Sequence, residues 1–248
     1  MKKDETSKND VILIPVEKLQ EGFDLCRKQM ELLIESAELL HQSKKYSISI
    51  ALSVLAREES AKLSLIGKQI DGALGISKRE WESITRGFVH EHKLKNPVKS
   101  TVDLVRSLSK GDFEKLKKRM KDDGTETIVT YEDVMNITEE HYKRLSSLNE
   151  IKKDCFYLNW VEPSWKIFFS RSKEQLEAVS FVELVHVKII LYGLAGLNLV
   201  SKKKDERFQT EFDEVQKKRK QSLEILRTKQ FKVKDMIAWS VYKQYFKS

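Results

Sequence analysis

Three prolines, at positions 15, 97 and 163, and nine glycines are the only strong helix breakers in 248 residues. The remainder is dominated by Lys, Glu, Leu, Ile and Ser, so the expected fold class is all-α, built from long helices with few turns. After Pro15, apolar residues recur at threes and fours through Val16, Leu19, Phe23, Cys26, Met30, Leu33, Ala37 and Leu40. That period predicts a first helix ending near Gln42. Ser43 to Lys45 is too short a break for anything but a reversal. A second helix, about 45 to 73, should return antiparallel to the first and share a buried face with it.

Gly72 and Gly75 end that helix, and Ser77-Lys-Arg-Glu80 is a capping box opening a third. A further helix is expected from Asp112, and another opens at Thr130-Tyr-Glu-Asp133 and runs through Ile151. Residues 155 to 170 concentrate aromatics around Pro163, which suits an irregular connection or a short strand pair. Ser172-Lys-Glu-Gln175 caps an apolar helix to Val200. Its Gly193 and Gly196 predict close approach of a neighbouring helix. Two more amphipathic helices follow. The expected organisation is a flexible N-terminus over 1–15, a helical bundle over 16–200 and a C-terminal helical extension over 201–248.

The formal net charge is +8, from 46 Lys and Arg against 38 Asp and Glu. Such a surface suits an anionic partner such as RNA or DNA, or is simply a solvated basic face. Cys26 and Cys155 have no metal-ligand spacing, so a reduced, cytoplasmic protein is expected. No zinc signature or phosphate-binding glycine loop occurs, and no metal or cofactor is expected. Glu38 with His41 and Glu183 with His186 form E-x-x-H pairs, which alone fall short of a di-iron set. Within Ala178 to Val200, Glu183, His186 and Lys188 leave an uncharged run of only twelve residues, Ile189 to Val200. A buried core helix is therefore expected rather than a membrane span.

Residues 44 to 70 hold the most costly local chemistry. On the helical period, Glu58 interrupts the stripe of Ala51, Val54, Ala61 and Leu65, and Glu59 interrupts that of Ile48, Leu52, Leu55 and Ile66. A carboxylate removed from water must be paired. Lys62 at i,i+4 is the natural partner for Glu58, and a distant cation for Glu59.

The run Tyr46 to Lys62, read as Y-x(3)-I-A-L-x-x-L-A-x-E-E-x-x-K, resembles the AbiV family of abortive-infection proteins, which belong to the helical HEPN superfamily. His90-Glu-His-Lys93-Leu94 resembles that family's H-x-x-K-L element, and Lys152 to Asn159, KKDCFYLN, its basic-x-x-small-Leu-Tyr-Val-Asp element. The resemblance implies a HEPN-like antiparallel bundle and a role in anti-phage defence. It also implies a homodimer, in which an Arg-x(4 to 6)-His element from each copy cuts RNA without metal.

Two places in this chain approach that element. Arg86 with His90 or His92 is one, where the histidine would move the proton. Lys152 with Tyr157 is the other, where lysine replaces arginine, tyrosine replaces histidine and Asn159 stands for aspartate. Lysine lacks the guanidinium fork, and a tyrosine of pKa about 10 is a poor base near neutral pH. The expected cluster is thus Glu58, Glu59, Lys62, His90, Lys93, Lys152 and Tyr157, with Arg86, Lys93, Lys95 and Lys152 contacting RNA or the translation machinery. The alternative is a non-enzymatic module binding a phage or host protein, with the polar cluster structural and Phe156, Tyr157, Trp160 and Trp165 packed as core. A DNA-associated helical module is a third reading.

Overall fold

The computed structural model describes residues 11–12, 15–72, 76–77, 109–111, 113–115, 118, 130–157, 159–161, 164–166, 171–201 and 207–245. The fold is all-α. In chain order the elements are β1 (Val11–Ile12), α1 (Val16–Gln42), α2 (Tyr46–Gly72), β2 (Ile76–Ser77), α3 (Tyr131–Phe156), β3 (Asn159–Val161), β4 (Ser164–Lys166), α4 (Lys173–Ser201), α5 (Arg207–Arg227) and α6 (Lys229–Tyr242). A 3-10 turn, Lys243–Tyr245, follows α6. The strands are two short antiparallel ribbons. In one, Ile12 lies opposite Ile76; in the other, Trp160 lies opposite Trp165.

The first reversal falls where the sequence places it. Proline cannot donate the hydrogen bond that a helix interior needs, so α1 begins directly after Pro15, whose carbonyl accepts from the amides of Lys18 and Leu19. Lys44 turns the chain in the left-handed region at φ 60°, and α2 then runs back along α1. Two apolar clusters meet along α4. One joins Tyr46, Ile50 and Val54 of α2 to Leu148 and Ile151 of α3, Val179 and Val182 of α4, and Phe231 and Val241 of α6. The other joins Phe23, Met30 and Ile34 of α1 to Ala56, Leu63 and Ile66 of α2, and Val187 and Leu191 of α4.

α4 therefore packs against α1, α2, α5 and α6 at once. Its length and apolarity would suit a membrane span, yet more than half of its most apolar window is buried inside the protein. α5 and α6 are packed on the bundle, and α6 contributes Phe231, Ala238, Val241 and Tyr242 to the core.

The capping box at α4 is formed as the sequence implies. The Gln175 amide donates to Ser172 Oγ and the Ser172 amide to Gln175 Oε1, both at 3.2 Å. Thr228 caps α6 by accepting from the Phe231 amide. Three expectations need correction. Phe113 already donates to the Ser109 carbonyl, so helical structure begins by Lys110 rather than at Asp112. Phe156 and Tyr157 are exposed rather than core, because α3 continues past Ile151 and carries them beyond the apolar contact; the side chains of Trp160 and Trp165 lie outside the described residues. A neighbouring helix explains only one of the two glycines: a Cβ at Gly196 would meet Gln216 Nε2 of α5 at 2.7 Å, whereas one at Gly193 meets nothing within 4 Å. The capping box at Ser77 falls outside the described residues beyond Ser77 itself.

Gly193 then carries glycine's entropy cost without a steric reason. Gly193→Ala is expected to stabilise the fold by about 0.5–1 kcal/mol, while Ser172→Ala should cost about 1 kcal/mol through the lost cap. Urea unfolding of the two variants checks both signs, and a destabilised Gly193→Ala would contradict this packing of α4.

Candidate functional site

Glu58 and Glu59 of α2 are both paired, but not as the spacing suggests. Glu58 takes the ammonium of Lys152, which reaches across from α3, and Glu59 takes Lys62 one turn along its own helix at 2.6 Å. Successive residues on a helix point about 100° apart, so one glutamate faces α3 and its neighbour does not. The local i,i+4 guess thus gave way to tertiary packing. These four side chains are between 16% and 27% exposed, and their charges cancel in two pairs. Tyr157 closes the end of α3 through its amide, which donates to the Lys153 carbonyl, while its side chain is 65% exposed.

The structure therefore joins Glu58 to Lys152 and Glu59 to Lys62. Arg86, His90, His92, Lys93 and Lys95 lie outside the described residues.

A second polar group, deeper in the bundle, centres on Glu183 of α4, which is fully buried. Its Oε1 accepts from Arg144 Nη2 at 2.6 Å, Arg144 Nε at 3.2 Å and the Tyr242 hydroxyl at 2.6 Å. Its Oε2 accepts from Arg57 Nη2 at 2.6 Å. Four helices, α2, α3, α4 and α6, thus converge on one carboxylate. Burial opposes its charge, but Arg144 and Arg57 outweigh that and hold the carboxyl well below the usual range. Burial, reinforced by the nearby carboxylate, pushes the Tyr242 hydroxyl far up, so it remains a donor. Arg144 also donates to His186 Nδ1, lies 5.2 Å over the Tyr242 ring and approaches Asp235 at 3.7 Å.

This arrangement is chemically closed. Both oxygens of Glu183 are filled and none of its surface reaches solvent, so it has no route by which to exchange a proton with a substrate. The E-x-x-H pair of Glu183 and His186 likewise presents its carboxylate to arginines rather than to a metal.

A third group fixes α1 against α2 and α4. The Ser49 hydroxyl donates to the Ala37 carbonyl and the Ser180 hydroxyl to Ser49 Oγ. Ser180 must therefore accept from His41, whose Nδ1 is 2.8 Å away and carries the proton. Burial depresses the pKa of His41, favouring this neutral form.

Sequence reading missed Arg57, Arg144 and Tyr242. A signal existed for one of them, because Arg144 precedes the buried positions Leu148, Ile151 and Cys155 at helical spacing. A cation on that stripe demands a buried anion. Glu183 shares its own stripe with Val179 and Val187 and supplies it.

The AbiV family model of the HEPN class matches residues 18–187, more than half of the chain. Arg57, Arg144, Glu183 and His186 fall within the match, as do Glu58, Glu59, Lys62, Lys152 and Tyr157; Asp235 and Tyr242 fall beyond it. No curated protein and no solved structure matches the chain.

Glu183→Gln leaves two arginines buried against an uncharged group and should cost about 3–5 kcal/mol of unfolding free energy. The folded protein holds Glu183 below its unfolded pKa of about 4.3, so its contribution is complete above that pH and declines as acid is added. The stability gap between wild type and Glu183→Gln should narrow below about pH 4.3. Denaturation curves showing a gap that is constant down to pH 3 would contradict the assignment.

Proposed function

This chain belongs to the AbiV family of HEPN proteins, a family of abortive-infection defence, and on that premise we propose that it defends by binding rather than by cutting. In this reading it is a homodimer that captures a phage or host protein, and the polar residues between α2 and α3 serve structure. The carrying observation is the closure of Lys152 on Glu58. A HEPN-type cleft needs a cation free to hold phosphate and an imidazole to move the proton. The ammonium of Lys152 is instead committed to a carboxylate, and Tyr157 stands where the imidazole would have to be. The two ion pairs also leave these four side chains with no net positive charge to draw RNA.

The homodimer has separate support. Leu25, Leu32 and Leu39 of α1 are 59%, 59% and 65% exposed. Their seven-residue spacing aligns them along one face, and a two-fold axis beside α1 would bury that face against its own copy. Leucines exposed in such a row are costly to leave in water and suit a partner surface.

RNA binding is the second reading, favoured by Lys217, Arg219 and Lys220 of α5, which are exposed and make no ion pair among the described residues. In that case Arg86, Lys93 and Lys95 would hold phosphate and His90 or His92 would transfer the proton.

Glu58→Gln combined with Lys152→Met removes both charges together, and the binding reading expects phage protection to stay within about threefold of wild type. Leu32→Glu should convert dimer to monomer in sedimentation and abolish protection. Chelator-resistant cleavage of total RNA, lost in folded His90→Ala or His92→Ala, would replace the binding reading with the ribonuclease one.

A further inference from the structure

A cleft of about 360 Å³ opens where the N-termini of α2 and α4 come together. Four cations line it, Lys44 and Lys45 before α2 and Arg171 and Lys173 at the start of α4. Among the described residues no carboxylate lines it: Glu177, on the next turn of α4, is occupied by Lys234 at 2.8 Å. The first turns of two helices of 27 and 29 residues add backbone N–H groups with no intrahelical acceptor and the positive ends of two helix dipoles.

An independent feature points to a ligand. Ser47 lines the cleft, is only 1% exposed, and its Oγ finds no hydrogen-bond partner among the described residues. Buried hydroxyls are ordinarily satisfied, so an orphan one beside four cations calls for an acceptor that arrives from outside. Arg171 is already oriented, donating to Gln244 at 2.5 Å and lying 5.2 Å over the Tyr245 ring. Ile48 and Leu176 make part of the wall apolar.

We propose that this cleft binds a nucleotide through its phosphate monoester. The cations and the two helix ends meet the dianion, Ser47 donates to one of its oxygens, and the apolar wall takes the rest of the ligand. The volume lies at the small end of the roughly 300–1,000 Å³ of small-molecule pockets, larger than a bare phosphate needs. The site is independent of the binding reading above, since along α2 it stands roughly 20 Å from Glu58 by helical rise.

The test is titration calorimetry of the full-length protein with inorganic phosphate, AMP, adenosine, and a short oligoribonucleotide bearing either a 5′-phosphate or a 5′-hydroxyl. AMP is expected to bind saturably, phosphate more weakly and adenosine not at all. A 5′-phosphorylated oligonucleotide binding more tightly than AMP would identify the monoester as an RNA end; AMP binding more tightly would identify a free nucleotide. Lys45→Ala with Lys173→Ala should weaken AMP at least tenfold without lowering Tm. Ser47→Ala should weaken it while leaving the protein as stable as wild type or more so. Lys44→Gly, which relieves a left-handed lysine, should raise Tm and lower affinity. Absence of saturable binding by any phosphate-bearing probe, equal binding of adenosine and AMP, or wild-type affinity in the lysine double variant would each overturn the proposal.

Discussion

A carboxylate buried at the junction of four helices sets the architecture of this bundle. Glu183 can remain ionised there only if Arg57, Arg144 and Tyr242 arrive together, because an unpaired charge in that environment would cost far more than the fold has to spare. α2, α3 and α6 are each bound to α4 by that requirement. Apolar packing alone would tolerate small slips of one helix along another. The fork of Arg144 on Oε1 and the single donor from Arg57 on Oε2 do not, since a shift of one residue empties a lone pair. The C-terminal helix α6 is held by the same interaction through Tyr242, although it lies beyond the span shared with the family.

Around this centre the bundle is tied by pairs that grade outward. The serine relay from Ala37 through Ser49 and Ser180 to His41 joins α1 to α2 and α4 in the interior. Glu58 with Lys152 joins α2 to α3 nearer the surface, and Arg27 with Glu211 joins α1 to α5 at 2.7 Å. Partial exposure makes the outer pairs individually weak, so they orient helices more than they stabilise them. Of the cluster expected to do chemistry, Glu58 and Lys152 belong to this set of orienting pairs, Glu59 and Lys62 pair within α2, and Tyr157 is exposed. The cations that line an open cleft stand elsewhere, at the start of α2 and α4.

What the sequence made legible was local. Pro15 marked the start of α1, Ser43 to Lys45 the reversal, and Ser172 with Gln175 the start of α4, because each rests on hydrogen bonds or sterics within a few residues. The two adjacent glutamates were visibly anomalous, but which helix each would face is decided by the packing of α3 on α2, and nothing within one turn encodes that. Glu183 was visible as a charge in an apolar helix, yet its partners lie 126, 39 and 59 residues away. Arg144 alone betrayed itself, through its place on a buried stripe. Gly193 misled because its composition signal is the same as that of Gly196, and only the position of α5 separates them.

The buried network is a structural device: its carboxylate is filled by Arg57, Arg144 and Tyr242 and closed to solvent. Replacing it entire with uncharged side chains, Arg57→Leu, Arg144→Met, Glu183→Leu, Asp235→Asn and Tyr242→Phe together, leaves none of its charges unpaired, and such exchanges are often neutral or stabilising. The direct measurement is phage protection conferred by that variant, beside its melting curve. The account predicts a protein that melts no earlier than wild type by more than a few degrees and still protects. A variant that folds as well as wild type and has lost protection would show that the charges themselves act, and would contradict it.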